Sequence, residues 1–411
     1  MRILFLTQYF TPEIGATQTR IHEFARACVA KGYQVTVITE FPNHPHGRIS
    51  REYRWKLFTR EEIDGFTVLR VWVWASPVKT TLWRLLFYGS FLVLSALRGL
   101  FMRPRVDVVF ATSPPLLTGL AGWIIAKIHH ASFILDIRDL WPLAALALGE
   151  LRQPILLRFA ERIERFLYRK ADKITTVTRG FVHHIATCIG NSARIVLLPN
   201  GAQTDIFAPS AASSDQRHRL GIDNRFLITF AGNHGIAQGL DFILDAAAML
   251  RARPDVIFGF IGDGPVKDRL MQRAQALGLT NVLFLPAVPL SQIAPYLTMS
   301  DALLVPLRDD PVFSMFIPSK LFDFLACARP VVLMVNGEAR EILESSGGGI
   351  WVAPEDAPGL VRAIERLMAM SVDERQRMGE RGRAYVLTRY TRAIQNQNFL
   401  GLLEQFKTSS K

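Results

Sequence analysis

Ile317–Glu341 reads IPSKLFDFLACARPVVLMVNGEARE, a pattern that predicts a helix, a buried strand and two polar turns in one βα unit. Pro318 suits the first turn of a helix, where its missing N–H has no intrahelical partner to lose. Ser319 and Lys320 would then stand at the N-terminus of that helix. Backbone N–H groups and the helix dipole favour anions there, so this position could bind a diphosphate.

The rest of this stretch predicts one apolar helix face and a fully buried strand. The helix face has helical spacing and consists of Leu321, Phe324 and Leu325. Asp323 points away from that face and is expected to be free to meet a sugar hydroxyl. Pro330 ends the helix, and the apolar run VVLMV that follows is typical of a strand in a parallel sheet. Gly337 and Glu338 follow that strand, at the edge where open α/β sheets bind ligands.

Taken alone, this stretch is also compatible with an ordinary helix carrying solvated charges. Its order of motifs (PSK, an acid three residues after the lysine, RPVV and then GEA) resembles the donor site of glycosyltransferase family 4, which has the GT-B fold. The closest resemblance is to the bacterial branch that builds capsule, colanic-acid and O-antigen polysaccharide. The resemblance implies that Ser319, Lys320, Asp323, Gly337 and Glu338 bind a nucleotide-sugar donor.

Length and composition predict a two-domain globular protein with an acidic partner. The chain has 411 residues, 49% of them hydrophobic and 20% charged, and its formal net charge is +12. That charge favours anionic lipid or nucleotide phosphates, while no block of basic and aromatic residues predicts a nucleic-acid module. Cys28, Cys188 and Cys327 lack metal-type spacing and indicate a reducing compartment. The apolar N-terminus is too short for a signal peptide, so we expect a cytoplasmic location.

The N-terminal half opens with a βαβ pattern whose first turn contains Gly15. A dinucleotide oxidoreductase would show GxGxxG there, which this loop lacks. In family 4 the corresponding short turn faces the donor phosphates and the acceptor, although a plain tight turn is an alternative. The next loop carries His44 and His46 in the string FPNHPHG. A third metal ligand is missing nearby, so no metal site is predicted, and the family resemblance implies no cofactor and no essential metal.

The string DIRDLWP, from Asp136 to Pro142, places three charges at the end of a predicted strand. A self-neutralising ion pair at the strand end would be one explanation. The string also closely resembles the polysaccharide branch of family 4, in which it borders the cleft near the transferred sugar. On that basis Arg138 and Asp139 are predicted, together with Lys320, as catalytic residues.

The second half begins after a polar, small-residue segment from Ala208 to Arg225, where we place the domain linker. The turn after its first strand contains Gly232, Asn233 and Gly235, whose N–H groups are predicted to form an anion site at a helix N-terminus. The wider family places Arg and Lys near this turn, but this chain has Asn233 and Gln238. More of the diphosphate charge would therefore be met by Lys320, Arg138 and helix dipoles.

Two further features of the second half are interpreted through the resemblance. The loop after the strand NVLFL would hold the base by main-chain contacts at Ala287 and Val288. The family's E-x7-E motif is incomplete, because Met315 replaces the first acid and the shorter Asp323 stands at the second. The C-terminal segment is predicted to be helical throughout and to cross back onto the first domain.

Leu85–Met102 is the most hydrophobic segment and is flanked by basic residues, namely Lys79, Arg84, Arg103 and Arg105. Three placements are open: in the headgroup region of an anionic membrane, across a bilayer, or packed against the sheet. Arg98 inside the segment argues against a membrane-spanning helix. If the helix lies on the membrane, replacing Phe91 and Leu94 with Asp should abolish vesicle binding and leave a folded protein.

The resemblance, which extends over essentially the whole chain, implies a GT-B fold with two Rossmann-like domains facing across a cleft. The expected domains are 1–207, which binds the acceptor, 208–385, which binds the nucleotide-sugar, and 386–411, a helix returning to the first domain. The resemblance implies a retaining glycosyltransferase that uses a nucleoside-diphosphate sugar, with UDP expected, and a polyprenyl-diphosphate-linked acceptor at the inner membrane surface. The alternatives are a non-catalytic nucleotide-binding scaffold at the membrane and a nucleotide-sugar epimerase on the same fold.

Overall fold

The computed structural model describes residues 1–13, 15–44, 47–78, 80–149, 153–210 and 213–408. They divide into two compact units. The first unit comprises Met1–Pro199 and Gln395–Lys411, and the second comprises Asn200–Ile394. The chain thus enters the second unit at Asn200, a few residues before the boundary placed from the sequence. Lys79 and His46 lie outside the described residues.

The first unit is built on an eight-stranded sheet. Its strands are β1 (Arg2–Leu6), β2 (Gln34–Glu40), β3 (Phe58–Ile63), β4 (Phe66–Val71), β5 (Val108–Ser113), β6 (Ser132–Ile137), β7 (Lys173–Thr176) and β8 (Ile195–Leu197). They lie in the order β3-β4-β2-β1-β5-β6-β7-β8. All neighbours are parallel except β3 and β4, which form an antiparallel pair at the edge. Such an antiparallel edge on an otherwise parallel sheet is common in α/β proteins.

Helices connect these strands. They are α1 (Ala16–Ala30), α2 (Thr81–Leu100), α3 (Leu116–His129), α4 (Leu143–Ala147), α5 (Pro154–Lys170) and α6 (Arg179–Ile189). The helix predicted from Leu85 to Met102 is α2, which begins four residues earlier. Nowhere in the described part of the chain is a helix both long enough and apolar enough to span a bilayer.

Helix α2 has one buried face and one exposed apolar face. Phe91, Ser95 and Gly99 recur at four-residue spacing on the buried face, and α2 packs on α3. Phe91 is 0% exposed, whereas Leu82 is 64% exposed and Leu85 is 49% exposed. The Phe91→Asp part of the predicted membrane test is therefore wrong, because that change would place a charge in the core. A test of the exposed face must use the exposed leucines.

The second unit contains a six-stranded, fully parallel sheet. Its strands are β9 (Phe226–Ala231), β10 (Val256–Ile261), β11 (Val282–Leu285), β12 (Ala302–Pro306), β13 (Val331–Met334) and β14 (Gly349–Trp351). They lie in the order β11-β10-β9-β12-β13-β14. Strand β13, the VVLM of the sequence motif, is buried at every residue, as its composition predicts. Parallel alignment brings the carboxyl ends of β9, β10, β12 and β13 to one edge of the sheet.

The described residues of the second unit contain eight further α-helices. They are α7 (Ser213–Arg219), α8 (Asp241–Met249), α9 (Lys267–Ala276), α10 (Ile293–Thr298), α11 (Lys320–Ala326), α12 (Glu338–Ser346), α13 (Ala357–Ala369) and α14 (Val372–Arg389). Helix α7 lies inside the segment predicted as a linker. Arg217 fixes it to the second unit by donating to the carbonyl of Met299 and pairing with Asp301 at 3.3 Å. The linker prediction is therefore wrong over the described part of that segment.

The C-terminal segment is also not helical throughout. Helix α14 ends at Arg389, and the final helix, α15 (Arg392–Thr408), starts after a break at Tyr390 and Thr391. At the break, the Ala202 N–H donates to the Tyr390 carbonyl at 2.7 Å, and the Arg392 N–H donates to the Ala202 carbonyl at 3.1 Å. These bonds place the first and last residues of the second unit side by side.

Most of α15 belongs to the core of the first unit. Phe399 is fully buried and stacks on Phe24 with 4.2 Å between ring centroids. It also meets Phe110 edge-on at 5.1 Å and Phe5 at 5.9 Å. The first unit therefore requires a segment from the far end of the chain to fill its aromatic core.

Candidate active site

Lys320 is a cation at the carboxyl edge of the second sheet, where it begins α11. Its Nζ lies 4.1 Å from the centroid of the Phe230 ring, and a Cβ on Gly232 would lie 2.8 Å from that Nζ. Removal from water lowers the pKa of Lys320 to about 7. Among the described residues no carboxylate forms an ion pair with it. A desolvated ammonium without a counter-ion at this edge is suited to binding an anion.

The turn after β9 differs from its prediction. Gly235 is followed by a three-residue 3-10 helix, Ile236–Gln238, and the regular helix α8 begins only at Asp241. The Gly232 N–H donates to the Ile261 carbonyl at 2.9 Å, and the Gly235 N–H donates to Oε1 of Gln238 at 3.1 Å. Both glycine N–H groups are thus already bonded within the protein. The predicted cradle of free N–H groups at a helix N-terminus is wrong for these two glycines.

His234 lies in the same turn and was not predicted as a site residue. Its side chain is 0% exposed and lies beside the rings of Phe230 and Phe260, at 5.5 Å and 6.2 Å. Neither ring nitrogen has a hydrogen-bond partner among the described residues. Burial, together with the charges of Lys267 and Lys320, lowers the pKa of His234 to about 4. The imidazole is therefore neutral at physiological pH.

Gly337 precedes α12, and its backbone lies so close to a neighbouring loop that the position requires glycine. Its φ is +72°, and a Cβ there would lie 2.0 Å from the carbonyl oxygen of Ser314. The loops after β12 and β13 are thereby pressed together, with Glu338 as the first residue of α12. Met315, at the position of the family's first acid, belongs to the short 3-10 helix Phe313–Met315 in the neighbouring loop. The incomplete acidic motif therefore lies at the same edge of the sheet as Glu338.

The remaining predicted donor residues lie in loops at this edge or at the start of α11. Ser319 precedes α11 and is half-buried, and its side chain makes no capping hydrogen bond. Ala287 and Val288 follow β11 in a segment without regular structure, and Ala287 is exposed. Their main chain is thus free of helix or strand hydrogen bonding, which is compatible with the predicted contact to a base.

Asp323 is not free, contrary to the expectation from the sequence. Its Oδ1 accepts a hydrogen bond from the N–H of Gln203 at 3.2 Å. Burial raises the pKa of Asp323 to about 6, while the nearby Arg392 opposes that rise. Arg392 in turn donates to Oε1 of Gln203 at 2.6 Å. Asp323 thus holds the loop after β8 within the second unit, and a contact to ribose would have to be made in addition.

In the first unit, Arg138 and Asp139 follow β6 at the carboxyl edge of the sheet. Arg138 Nε and Nη1 and Asp139 Oδ1 are buried without a hydrogen-bond partner in the described chain. Burial lowers the pKa of Arg138 to about 10, and burial raises the pKa of Asp139 to about 6. Buried polar atoms usually have partners, so these are candidates for substrate contacts.

Asp136, the first acid of the same string, has a different role. It is fully buried and accepts a hydrogen bond from the Thr175 hydroxyl at 2.7 Å. Arg20 pairs with it at 3.7 Å and also donates to the carbonyl of Leu198. Among the described residues the three charges of the string form no ion pair with one another, so the self-neutralising pair is not found. Asp136 pairs instead with Arg20, which lies outside the string.

Gly15 and the loop after β2 lie at the same edge. Gly15 has an extended backbone, with φ 176°. Any residue can adopt this conformation, so the backbone angle does not explain why glycine is here. Glu13, beside it, accepts hydrogen bonds from the N–H groups of Asn43 and His44 at 2.7 and 2.8 Å. Buried Glu40 accepts from the Asn43 side chain at 2.5 Å. These acids were missed because nothing in the sequence pairs the first turn with the end of β2.

The described residues contain no cluster of three or more His, Cys, Asp or Glu side chains able to hold a metal ion. His44 is exposed in the loop after β2.

Comparison with solved structures establishes the fold. The chain aligns with sucrose-phosphate synthase from Thermosynechococcus elongatus with a TM-score of 0.75, at 17% identity and 99% coverage of both chains. It aligns with Anabaena HepE in complex with UDP-glucose with a TM-score of 0.72, at 16% identity, over 98% of this chain and 100% of the other. Both the sheets and the whole-chain alignments are those of the GT-B fold, as predicted.

Sequence comparison gives the family. Residues 15–201 match the glycosyl transferase 4-like domain, and residues 213–385 match glycosyl transferases group 1. The chain is 28% identical to the putative colanic acid biosynthesis glycosyl transferase WcaI of Escherichia coli K12, over 90% of this chain and 93% of that protein. It is 29% identical to a GDP-mannose-dependent phosphatidylinositol monomannoside mannosyltransferase of Mycolicibacterium smegmatis, over 56% and 62% of the two chains. The chain belongs to glycosyltransferase family 4, and it is a glycosyltransferase.

Proposed function

We propose that this glycosyltransferase transfers a sugar from a nucleoside-diphosphate donor, with UDP as the expected nucleotide, to a lipid-linked saccharide. The product would be a cell-surface polysaccharide of the colanic-acid, capsule or O-antigen type. Retention of anomeric configuration and independence from metal follow from the family resemblance. The similarity to WcaI over most of both chains supports the pathway, and the likeness to a UDP-glucose complex supports the nucleotide.

One observation carries the donor assignment: Lys320 presents a desolvated ammonium without a carboxylate partner among the described residues. Departure of a nucleoside diphosphate leaves negative charge on its β-phosphate. A fixed cation in a dry site stabilises that charge more in the transition state than in the bound donor. Lys320 is therefore assigned to the diphosphate, and the phosphate's charge would in turn raise the pKa of the ammonium.

Arg138 and Asp139 are assigned to the polar groups of the sugar substrates. The guanidinium can donate to hydroxyl or phosphate oxygens, and the carboxylate can accept from sugar hydroxyls. Burial leaves both with unmatched polar atoms among the described residues, which a bound saccharide would satisfy. Metal-free transfer needs only such hydrogen-bonding groups and the Lys320 charge.

The acceptor is assigned to a lipid carrier, and the protein to the inner membrane surface. Helix α2 exposes Leu82, Leu85, Val93 and Leu97, while Arg103 and Arg105 near its C-terminal end are exposed. An apolar helix face with basic residues at its end suits the headgroup region of an anionic membrane. The protein would then take its acceptor directly from the bilayer.

The donor assignment is tested by titrating the protein calorimetrically with UDP, GDP and a panel of their sugars. We expect micromolar binding of one nucleotide and at least tenfold weaker binding in Lys320→Ala, because a charge-assisted hydrogen bond is worth about 1.5–3 kcal/mol. Ser314→Ala, a change in the adjacent loop that leaves the charge intact, is the control. Equal affinity in wild type and Lys320→Ala would refute the assignment.

Two alternatives predict different products. A non-catalytic scaffold would bind nucleotide but would not move labelled sugar into a lipid extract. An epimerase would convert the free nucleotide-sugar when no acceptor is present. Incubating the protein with radiolabelled donor, with and without membrane lipid, separates all three, since only a transferase needs the lipid and labels it.

A further inference from the structure

A cavity of about 310 Å³ lies in the first unit. Arg138 and Asp139 are not among the described residues that line it. Its walls come from the loop after β2 and the segment after β4, and they include Arg48, Arg54, Trp72 and Trp74. Strands β2 and β4 are parallel, so both walls follow carboxyl ends of strands at one edge of the sheet. That edge is where open α/β sheets bind ligands.

The cavity combines positive charge with aromatic surface. Arg48 and Arg54 are exposed, and neither forms an ion pair among the described residues. Trp72 and Trp74 meet edge-on with 5.9 Å between ring centroids. Guanidinium groups bind phosphate through paired N–H donors, and indole rings bind apolar groups. The lining therefore fits a ligand that is anionic at one end and apolar at the other.

The walls are held in place by the surrounding fold. Gly47 has φ +64°, and a Cβ there would lie 2.3 Å from the carbonyl oxygen of Ser76, so the two walls meet backbone to backbone. The Trp72 N–H donates to the Leu57 carbonyl and the Trp74 N–H to the Ser90 hydroxyl, both at 2.9 Å. The cavity is thus preformed, which lowers the entropic penalty of binding.

The cavity also connects to the exposed apolar face of α2. Trp74 is 6.1 Å from Trp83 on α2, between ring centroids. Leu82 and Leu86, on either side of Trp83, are exposed, and so is Val78 just before the helix. An apolar chain leaving the cavity past Trp74 would therefore lie along an apolar surface of the same unit.

We propose that this cavity binds the phosphate end of a single prenyl-type lipid diphosphate, with Arg48 and Arg54 on the phosphates and the lipid chain on the α2 face. This proposal rests on the lipid-linked acceptor of the proposed function and states where the carrier enters. The positive charge of Arg48 and Arg54 fits an anionic head, and the contact between Trp74 and Trp83 leads to the apolar face of α2. The site therefore fits one molecule that has both an anionic head and an apolar chain.

The test uses farnesyl diphosphate as a soluble probe and follows tryptophan fluorescence. It is done in the Lys320→Ala background, in which binding of the probe's diphosphate at the donor site is weakened. We expect saturable quenching, and at least tenfold weaker binding in the Arg48→Gln/Arg54→Gln variant. The control is Arg51→Gln/Lys56→Gln, which removes the same charge from exposed residues that do not line the cavity.

A second pair of measurements separates the possible ligands. If the diphosphate head and the prenyl chain both contribute to binding, inorganic pyrophosphate should bind at least tenfold more weakly than farnesyl diphosphate. Farnesol should also bind at least tenfold more weakly. Trp74→Ser should weaken farnesyl diphosphate but not pyrophosphate, whereas Trp74→Phe should retain most of the affinity. Equal affinity for pyrophosphate and farnesyl diphosphate, or equal losses in the cavity and control variants, would overturn the proposal.

The outcome is distinguishable from failure of the proposed function. Nucleotide titration of the Arg48→Gln/Arg54→Gln variant, with Lys320 intact, reports on the donor site. Normal nucleotide binding with lost farnesyl diphosphate binding supports the cavity assignment. Farnesyl diphosphate binding that survives these changes overturns it, whatever the nucleotide result.

Discussion

Lys320 is a residue whose surroundings oppose its own charge, and this gives nucleotide binding a pH dependence. In the free protein its pKa is about 7, so at higher pH it becomes neutral. The proposed contact with a diphosphate needs the ammonium form of Lys320, so nucleotide binding above pH 7 should take up a proton. Affinity should therefore fall as pH rises from 7 to 9, by at most about tenfold per pH unit. Calorimetry in buffers of different ionisation enthalpy measures both the affinity and the proton uptake.

The matched variant for this prediction is Lys320→Arg. A guanidinium stays charged throughout this range, so its nucleotide affinity should not change with pH. Lys320→Ala should bind the nucleotide weakly, and its affinity should also not change with pH. A wild-type affinity that is constant between pH 7 and pH 9 would contradict the prediction.

Mutations within the string DIRDLWP should affect different properties: activity at Arg138 and Asp139, and stability at Asp136. Arg138→Gln and Asp139→Asn remove groups with unmatched buried atoms among the described residues, so folding should change little. The lost substrate contact should lower kcat/KM by about 10- to 100-fold, from about 1.5–3 kcal/mol per charged hydrogen bond. Thermal unfolding and initial rates measure the two effects.

Asp136→Asn is the control within the same string. Asp136 bonds Thr175 and pairs with buried Arg20, so its change should destabilise the protein by about 3–5 kcal/mol. If Asp136→Asn unfolds no more easily than Asp139→Asn, the division of roles is wrong.

For single residues, the sequence predicts the type of chemistry better than it predicts the contacts that each side chain makes. Lys320 could be proposed from its position at a helix start, and Arg138 from the resemblance of the string around it. His234 was missed because a lone histidine in a turn gives no sign that it will be buried beside Phe230 and Phe260. Asp323 was placed on the correct helix, but its bond to Gln203 depends on a loop 120 residues away.

At the scale of elements, α2 gives a test of membrane association. Leu82→Asp/Leu85→Asp places charge on exposed positions, so the protein should stay folded and lose most of its binding to anionic vesicles. Basic residues nearby add about 1 kcal/mol each, and that part should weaken in salt while the apolar part persists. Flotation with vesicles at low and high salt measures both.

Phe91→Asp is the contrasting variant on the same helix. Phe91 is buried, so this change should unfold the first unit rather than detach an intact protein. Vesicle binding by folded Leu82→Asp/Leu85→Asp at the wild-type level would show that α2 does not lie on the membrane.

Most long elements were predictable, and the short or exposed ones were not. Strand β13 is an apolar run bounded by Pro330 and Asn336, and such runs are recognisable. Strand β3 was missed because it alternates exposed and half-buried residues at a sheet edge. Helix α7 was taken for linker because its polar composition hides the contacts that Arg217 makes.

At the scale of the whole molecule, we expect α15, the last helix, to contribute as much to the stability of the first unit as its first strand, β1. Phe399→Ala removes a fully buried ring from the cluster of Phe5, Phe24 and Phe110. Cavity formation of this kind destabilises by about 3–5 kcal/mol. Chemical denaturation followed by circular dichroism measures the loss.

Phe101→Ala is the control, since Phe101 is 73% exposed and should cost little. An equal effect of the two changes would show that α15 does not complete the core. Sequence alone predicted that a C-terminal helix returns to the first domain, but no residue pattern reveals which ring of that helix Phe24 stacks on.

The hydrogen bonds of Ala202 with Tyr390 and Arg392 make the second unit an insertion whose two ends touch. A segment with adjoining ends can be excised or circularly permuted with little strain on its backbone. We therefore expect a gene fragment encoding Asn200–Ile394 to yield a compact module, whose proposed nucleotide binding can be measured by itself. The unit to which we assign the donor could then be assayed, labelled or crystallised without the first unit.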